Sequence, residues 1–180
     1  MTELILARHG ETDWNAERRV QGHTDRPLST IGRGQARELA DMLQGEPLDA
    51  VYSSDLARAY ETAREVAGRR GLVVCALPEL RERDFGTWEG LTDDEIQERF
   101  PQAHTGPWGD AETHEELARR VLAALRQIAE QHPRGRVLVV THGGPLRAVL
   151  RHCNVALDGP IANCHVARFG VRGGSLRPID

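Results

Sequence analysis

The chain contains no lysine, so arginine supplies all 23 of its Lys and Arg residues. A site that binds an anion must therefore be built from arginine, histidine and backbone N–H groups. The formal net charge of −4 argues against a general binder of nucleic acid or anionic membranes, because such a binder needs a basic face. A local positive pocket is still compatible with this charge.

Cysteine is also scarce. Cys75, Cys153 and Cys164 are odd in number and lack the C-x-x-C spacing of a metal knuckle. They argue against a disulfide framework, and we expect them to be small buried hydrophobic residues. No apolar run approaches the about 20 residues of a membrane span, and no basic region precedes Leu4 as it would in a signal peptide. We therefore expect a cytoplasmic protein that binds neither nucleic acid nor membranes.

Apolar stretches alternate with amphipathic segments along the 180 residues, which we expect to form one domain spanning 1–180. Buried strands are predicted at 3–7, 49–53, 72–76 and 136–141, loops at 11–27 and 78–90, and a terminal hairpin from 164–169 and 175–179 around Gly173-Gly174. Helices are predicted after the N-caps Ser29, Ser53-Ser54-Asp55, Thr92 and Thr113, and another around Pro145.

This order of elements predicts an α/β fold. We expect a three-layer αβα sandwich with a mainly parallel central sheet, an antiparallel edge strand and helices on both faces. The segment at about 100–113, rich in proline, glycine and polar residues, is predicted to be a short flap.

Two predicted strands end in a histidine followed by glycine. The first strand continues into Arg8-His9-Gly10, and the strand at 136–141 continues into His142-Gly143. Because the carboxyl ends of parallel strands meet at one crevice, both histidines should lie there, and Arg58 should point to the same edge from the first turn of a helix. Arginine matches phosphate oxygens and histidine can act as a nucleophile or proton carrier, so the pattern indicates phosphate chemistry.

Four separated motifs follow one another along the chain: Arg8-His9-Gly10-Glu11-Thr12 with Trp14-Asn15, Ser53-Ser54-Asp55-Leu56-Ala57-Arg58-Ala59, Glu82 ahead of Phe85-Gly86-Thr87-Trp88-Glu89-Gly90, and Thr141-His142-Gly143-Gly144. Together they resemble the histidine phosphatase superfamily, in its phosphoglycerate mutase-like branch. The resemblance extends over nearly the whole chain, and the segment from Glu112-Thr113 to Arg120-Val121 is also similar to that family.

The resemblance implies a role for each motif. His9 would be the nucleophile that carries the phosphoryl group, and Glu82 would protonate the leaving oxygen and then act as the base for water. The residues implied to hold the phosphoryl oxygens are Arg8, Asn15, Gln21, Gly22, Arg58, His142 and Gly143. No metal or cofactor is implied, since fixed cations can stabilise the phosphoryl charge. A nucleophilic His9 must be neutral, so we expect its other ring nitrogen to donate to a backbone carbonyl or a similar acceptor.

Three functions are compatible with this resemblance. A phosphatase passes the phosphoryl group to water, a 2,3-bisphosphoglycerate-dependent phosphoglycerate mutase returns it to a second hydroxyl, and a non-catalytic relative only binds phosphorylated ligands. Mutases of this family carry Arg-His-Tyr-Gly and a later lysine, whereas this chain has Arg83-Asp84-Phe85-Gly86 and no lysine. The sequence therefore favours a cofactor-independent phosphatase acting on small phosphomonoesters, with the mutase as the alternative. It leaves the particular ester and the oligomeric state open, with a dimer among the options.

Overall fold

The computed structural model describes residues 1–102 and 111–179. The strands in these ranges are β1 (Thr2–Arg8), β2 (Ala50–Ser53), β3 (Val74–Ala76), β4 (Arg136–Thr141), β5 (Val166–Arg172) and β6 (Ser175–Pro178). The α-helices are α1 (Asp13–Ala16), α2 (Thr30–Met42), α3 (Ala57–Gly68), α4 (Asp93–Arg99), α5 (His114–Gln131) and α6 (Gly143–His152). Most of the predicted flap at about 100–113 lies outside the described residues.

The strands form a six-stranded sheet in the order β3-β2-β4-β1-β5-β6. The first four run parallel, while β5 is antiparallel to β1 and β6 is antiparallel to β5. Arg8 is paired with Thr141 at the carboxyl ends of β1 and β4, so the next residues, His9 and His142, emerge side by side. This confirms the predicted fold class, with an antiparallel edge made of a two-stranded hairpin.

Helices cover both faces of the sheet, because successive side chains of a buried strand point to opposite faces. Leu4 and Leu6 of β1 pack in a core with α5 and α6. Ile5 and Ala7 pack in a second core with α2 and α3. Each β1 residue between 4 and 7 is fully buried, which explains why the strand reads as an uninterrupted apolar run.

Several local predictions are confirmed by hydrogen bonds. Ser29 is the N-cap of α2 and accepts from the N–H of Gly32. Thr92 and Thr113 cap α4 and α5 in reciprocal capping boxes with the glutamates three residues later. In the part of the chain that the structure describes, no helix is long and apolar enough to span a bilayer.

Segment 11–27 contains α1, so its prediction as a loop is wrong at Asp13–Ala16. With only four residues, this helix offers no hydrophobic period to recognise. A capping box holds it instead: Thr12 Oγ1 accepts from Asn15 N, and Asn15 Oδ1 accepts from Thr12 N.

The predicted caps of α3 are also wrong. The N-cap is Leu56, which makes no side-chain cap hydrogen bond. The N–H of Ala57 donates to Asp25 Oδ1 at 2.8 Å, while Ser54 Oγ accepts from Leu56 N ahead of the helix. The carboxylate that caps α3 thus comes from a distant loop, which a local reading of the sequence does not reveal.

The prediction that the cysteines are buried is wrong. Cys75 is exposed, and Cys153 and Cys164 are only partly buried. Cys75 lies in β3, the short strand at one edge of the sheet, where it pairs with β2 alone. An edge position leaves a strand less covered than the central strands are.

Candidate active site

The ring of His9 is buried directly after β1, and its two nitrogens have different environments. Nδ1 lies 2.6 Å from the carbonyl oxygen of Gly10. A carbonyl only accepts, so Nδ1 must carry the proton and donate, which leaves the lone pair on Nε2. Burial, together with the charges of Arg58 and Arg8, holds the pKa of His9 well below its ordinary value. His9 is therefore neutral near pH 7 with a lone pair on Nε2, and its Nδ1 donates to a backbone carbonyl as we expected from the sequence.

Backbone contacts fix the position of this ring. The N–H of His9 donates to the carbonyl of Thr141 at 2.9 Å, and its carbonyl accepts from Asn163 Nδ2 at 3.0 Å. The N–H of Gly10 donates to Thr62 Oγ1 at 3.0 Å. A Cβ on Gly10 would lie 2.5 Å from the carbonyl oxygen of Gly32, so the close approach to α2 requires glycine here.

Two arginines bring buried positive charge to His9. Arg58 is 1% exposed and donates to the carbonyls of Thr24 and Gly22, at 3.0 and 2.7 Å. Arg8 donates to the carbonyl of Ile161. Burial lowers the pKa of both, that of Arg58 to about 10, so both stay charged at neutral pH. The Nε atoms of Arg8 and Arg58 are buried and have no hydrogen-bond partner within the described residues.

His142 completes this group of unpaired polar atoms. It is the N-cap of α6, it is fully buried, and its ring centroid lies 5.0 Å from that of His9. Neither ring nitrogen has a partner among the described residues. Burial and the neighbouring charges of Arg58, His9 and Arg8 hold its pKa well below the ordinary value. A buried polar group left unpaired costs about 1–3 kcal/mol, so these atoms together indicate a binding site for an external acceptor.

A cavity of about 120 Å³, which we call the inner cavity, lies beside His9. Of the nine site residues predicted from the sequence, it is lined by seven: Arg8, His9, Asn15, Gln21, Gly22, Arg58 and Glu82. His142 packs against the His9 ring, and Gly143 lines a larger cavity next to the inner one. The fold therefore brings the predicted residues together.

The two amide side chains of the inner cavity are oriented by Thr12. Oδ1 of Asn15 accepts from the Thr12 N–H at 3.1 Å, and Oε1 of Gln21 accepts from the Thr12 hydroxyl at 3.0 Å. Because these contacts engage the oxygens, the NH₂ ends are left to donate to a ligand. Both amides are thus suited to bind phosphoryl oxygens.

Glu82 is held at the other side of the site by the start of α6. Its carboxylate accepts from Gly144 N at 3.1 and 3.0 Å and from Arg83 N at 2.8 Å. A Cβ on Gly144 would lie 2.0 Å from Glu82 Oε1, so only glycine allows this approach. Arg120 donates to the backbone carbonyl of Glu82 at 2.7 Å and thereby fixes the loop.

Several residues that support the site were not predicted from the sequence. Thr62 and Asn163 bind the backbone around His9, yet nothing in their local sequence marks them. Glu89 accepts from the N–H groups of His23 and Thr24 and thereby shapes the loop at Gly22, where a Cβ would lie 1.9 Å from Glu89 Oε1. Glu89 belongs to one of the quoted motifs, but no feature of that motif indicates this role. Within 1–102 and 111–179, no group of three or more His, Cys, Asp or Glu side chains is placed to hold a metal ion.

The low pKa values of His9 and His142 predict acid-sensitive stability. An unfolded histidine has a pKa of about 6.5, so below this pH the unfolded chain binds protons that the folded chain does not. The free energy of unfolding therefore decreases as the pH is lowered. At pH 5.5 each of the two histidines should lower the free energy of unfolding by about 1.4 kcal/mol relative to pH 8. Urea unfolding across this range in phosphate-free buffer tests the prediction, and the His142→Gln variant should lose about half of this histidine contribution. An unchanged pH dependence in that variant would contradict it.

Comparison with known proteins agrees with this geometry. Residues 4–177 match the family model described as histidine phosphatase superfamily (branch 1). A metal-independent phosphoserine phosphatase of Arabidopsis thaliana is 40% identical over 178 residues, which cover 92% of this chain and 75% of the relative. Phosphoglycerate mutase-like protein 4 of the same plant is 41% identical over 159 residues, covering 82% and 69%. The solved structure of Bacillus stearothermophilus YhfR matches with a TM-score of 0.89 at 35% identity, covering 99% of this chain and 95% of that one.

Proposed function

The chain belongs to the histidine phosphatase superfamily and is a phosphoric monoester hydrolase, and we propose that Nε2 of His9 carries the phosphoryl group of the substrate during hydrolysis of small phosphomonoesters. The observation that carries this proposal is the set of buried, unpaired atoms beside His9: Arg8 Nε, Arg58 Nε and both ring nitrogens of His142. They lie near His9, whose Nδ1 donates to the carbonyl of Gly10, so that the lone pair is on Nε2.

In the first step, the Nε2 lone pair attacks phosphorus in line with the ester oxygen. The P–N bond forms as the P–O bond breaks, and the leaving oxygen takes a proton from Glu82. The arginines hold the phosphoryl oxygens, which is the main contribution a protein makes to phosphoryl transfer. The carbonyl of Gly10 stabilises the Nδ1 proton as positive charge develops on the ring.

In the second step, water attacks the phosphohistidine. Glu82, now ionised, accepts a proton from that water, a new P–O bond forms, and the P–N electron pair returns to Nε2. The N–H groups of Gly144 and Arg83 hold the carboxyl group in place for both steps, and the proton that it takes from water restores the acid for the next cycle. Inorganic phosphate then leaves, and the enzyme is restored.

The mutase stays the second candidate, because one similar relative is named phosphoglycerate mutase-like. A mutase must return the phosphoryl group to a second hydroxyl before water reaches it. The two reactions are distinguished by the acceptor, since only the phosphatase releases inorganic phosphate stoichiometrically.

Hydrolysis should not depend on a divalent metal, because Arg8 and Arg58 supply positive charge to the inner cavity. We expect phosphate release from a panel of phosphomonoesters to be unchanged after exhaustive chelation with EDTA, while 2,3-bisphosphoglycerate-dependent mutase activity, assayed in parallel, is minor. A large loss in EDTA that magnesium or zinc restores would contradict this site. Phosphoglycerate interconversion faster than phosphate release would favour the mutase.

The proposed substrates are small phosphorylated metabolites, in agreement with the phosphoserine in the name of one similar phosphatase. We also propose a cytoplasmic location on the scarcity of cysteine. A dimer stays one option for the oligomeric state.

A further inference from the structure

A second cavity of about 640 Å³, which we call the outer cavity, adjoins the inner cavity and shares Arg8, Glu82 and Phe85 with it. If the phosphoryl group lies at His9, as the proposed function requires, Glu82 protonates the oxygen at the boundary between the two. The alcohol half of the substrate must then extend into the outer cavity. The residues that line this cavity therefore indicate which kinds of alcohol the enzyme binds.

The outer cavity is much larger than a serine side chain needs. Cavities of about 300–1,000 Å³ enclose ligands of drug size. Leu117, Ala118 and Leu122 of α5 form one wall, and Ala148 of α6 and Ile161 contribute another. Such a surface binds an apolar group most favourably, because each Å² of apolar surface that is removed from water contributes about 25 cal/mol of binding free energy.

The same cavity has an excess of positive charge along α6. Arg147 and Arg151 lie on one stripe of that helix with Gly143 and Gly144, since residues three, four, seven and eight apart share a helix face. At about 1.5 Å per residue, Arg147 lies roughly 6 Å and Arg151 roughly 12 Å along the axis from Gly143. The two arginines thus place positive charge along α6, between the catalytic end of the cavity and its rim.

The remaining charges do not cancel this excess. Arg83 also lines the outer cavity, and among its described lining residues the carboxylates are Glu82 and Glu115. The pKa of His114 is lowered by partial burial and by Arg83 and Arg151, so His114 adds no positive charge at neutral pH. Arg83 is compensated by the charges of Glu82 and Glu112. Beyond Arg83 and the residues shared with the inner cavity, Arg147 and Arg151 therefore face one glutamate, Glu115.

We propose that the preferred substrates are phosphomonoesters whose alcohol has an apolar body larger than a serine side chain and a carboxylate, or another anion, at its far end. The apolar body packs between α5 and α6. Arg147 and Arg151 bind the distal anion. Glu115 weakens this binding, because it places a like charge at the same rim.

The charge preference can be measured with para-carboxyphenyl phosphate and para-carbamoylphenyl phosphate, which have nearly the same shape and differ in charge. We expect kcat/KM to favour the carboxylate by about tenfold, mainly through KM, as for one or two partly exposed charge pairs. Arg151→Gln should lower this ratio by about threefold, and Arg147→Gln by at least as much. Glu115→Gln should raise it, and Arg119→Gln, an exposed residue of α5 outside the cavity lining, should leave it unchanged.

The size preference is measured with alkyl esters, which keep the leaving-group chemistry constant. Phosphooxyhexanoate should be hydrolysed with a higher kcat/KM than phosphooxypropanoate. Equal rates for the two alkyl esters, or a carboxylate-to-amide ratio near one that the arginine variants do not change, would overturn the inference while leaving the phosphatase intact. Failure to hydrolyse any of these esters would instead contradict the proposed function.

Discussion

Replacement of His9 by alanine is expected to lower kcat for phosphomonoester hydrolysis by about 10⁴-fold or more, which corresponds to at least about 5.5 kcal/mol. The variant loses the atom that we propose forms the P–N bond, and no other described side chain combines a free ring nitrogen, burial among arginines and contact with the inner cavity. Binding of phosphate or vanadate should survive in part, because Arg8, Arg58 and His142 are still present. Steady-state kinetics and binding of vanadate measure the two effects.

The covalent intermediate provides the sharper test of His9. Wild-type enzyme quenched during turnover of labelled substrate should contain an acid-labile, base-stable phosphoryl group on the peptide that includes His9, as expected of a P–N bond. His142→Ala should still form this species, but about 10²- to 10³-fold more slowly, because it loses a group that we propose stabilises the phosphoryl oxygens. His165→Ala, an exposed histidine, is the control and should behave as wild type. Substantial turnover by His9→Ala would exclude the covalent mechanism.

The strand ends could be predicted from the sequence because they depend on local patterns. An apolar run followed by His9 or His142 marks a buried strand and its carboxyl end, and parallel pairing then aligns Arg8 with Thr141. The family assignment confirms the resemblance that the four motifs indicate. The depressed pKa of His9 also follows from that setting, since burial next to arginine disfavours the charged ring.

The contacts that could not be predicted join residues far apart in the chain. Asp25 caps α3 at Ala57, and Asn163 binds the carbonyl of His9 from 154 residues away. Such contacts depend on the arrangement of loops after the sheet has formed, and their side chains have no periodicity to mark them. Glu82 could be predicted only through the family resemblance, because it lies among other charged residues of the sequence; its contacts with the N–H groups of Gly144 and Arg83 could not be predicted.

Glu82→Gln should slow the phosphorylation step by about 10²- to 10⁴-fold for alkyl phosphates, the usual range for loss of a general acid. The amide is nearly the same size and its oxygen can still accept from the N–H groups of Gly144 and Arg83, so the site should keep its shape. An aryl phosphate with a nitro-substituted ring should lose less than about tenfold in the same step, because its leaving oxygen needs little protonation. Rapid-quench kinetics, which separate phosphorylation from dephosphorylation, measure this difference.

A second variant tests the position of the carboxylate independently of its chemistry. In Gly144→Ala the new Cβ would lie 2.0 Å from Glu82 Oε1, so the carboxylate must move while it is still able to ionise. We expect the same dependence on the leaving group as in Glu82→Gln, with a smaller loss, because a displaced acid still donates through a longer or water-mediated contact. Asp84→Asn, which changes a neighbouring carboxylate that does not line the inner cavity, should keep the wild-type ratio of alkyl to aryl rates. If Glu82→Gln slows alkyl and aryl esters equally, Glu82 is a structural or binding residue, and the proton must come from another carboxylate of this loop, Asp84 or Glu89.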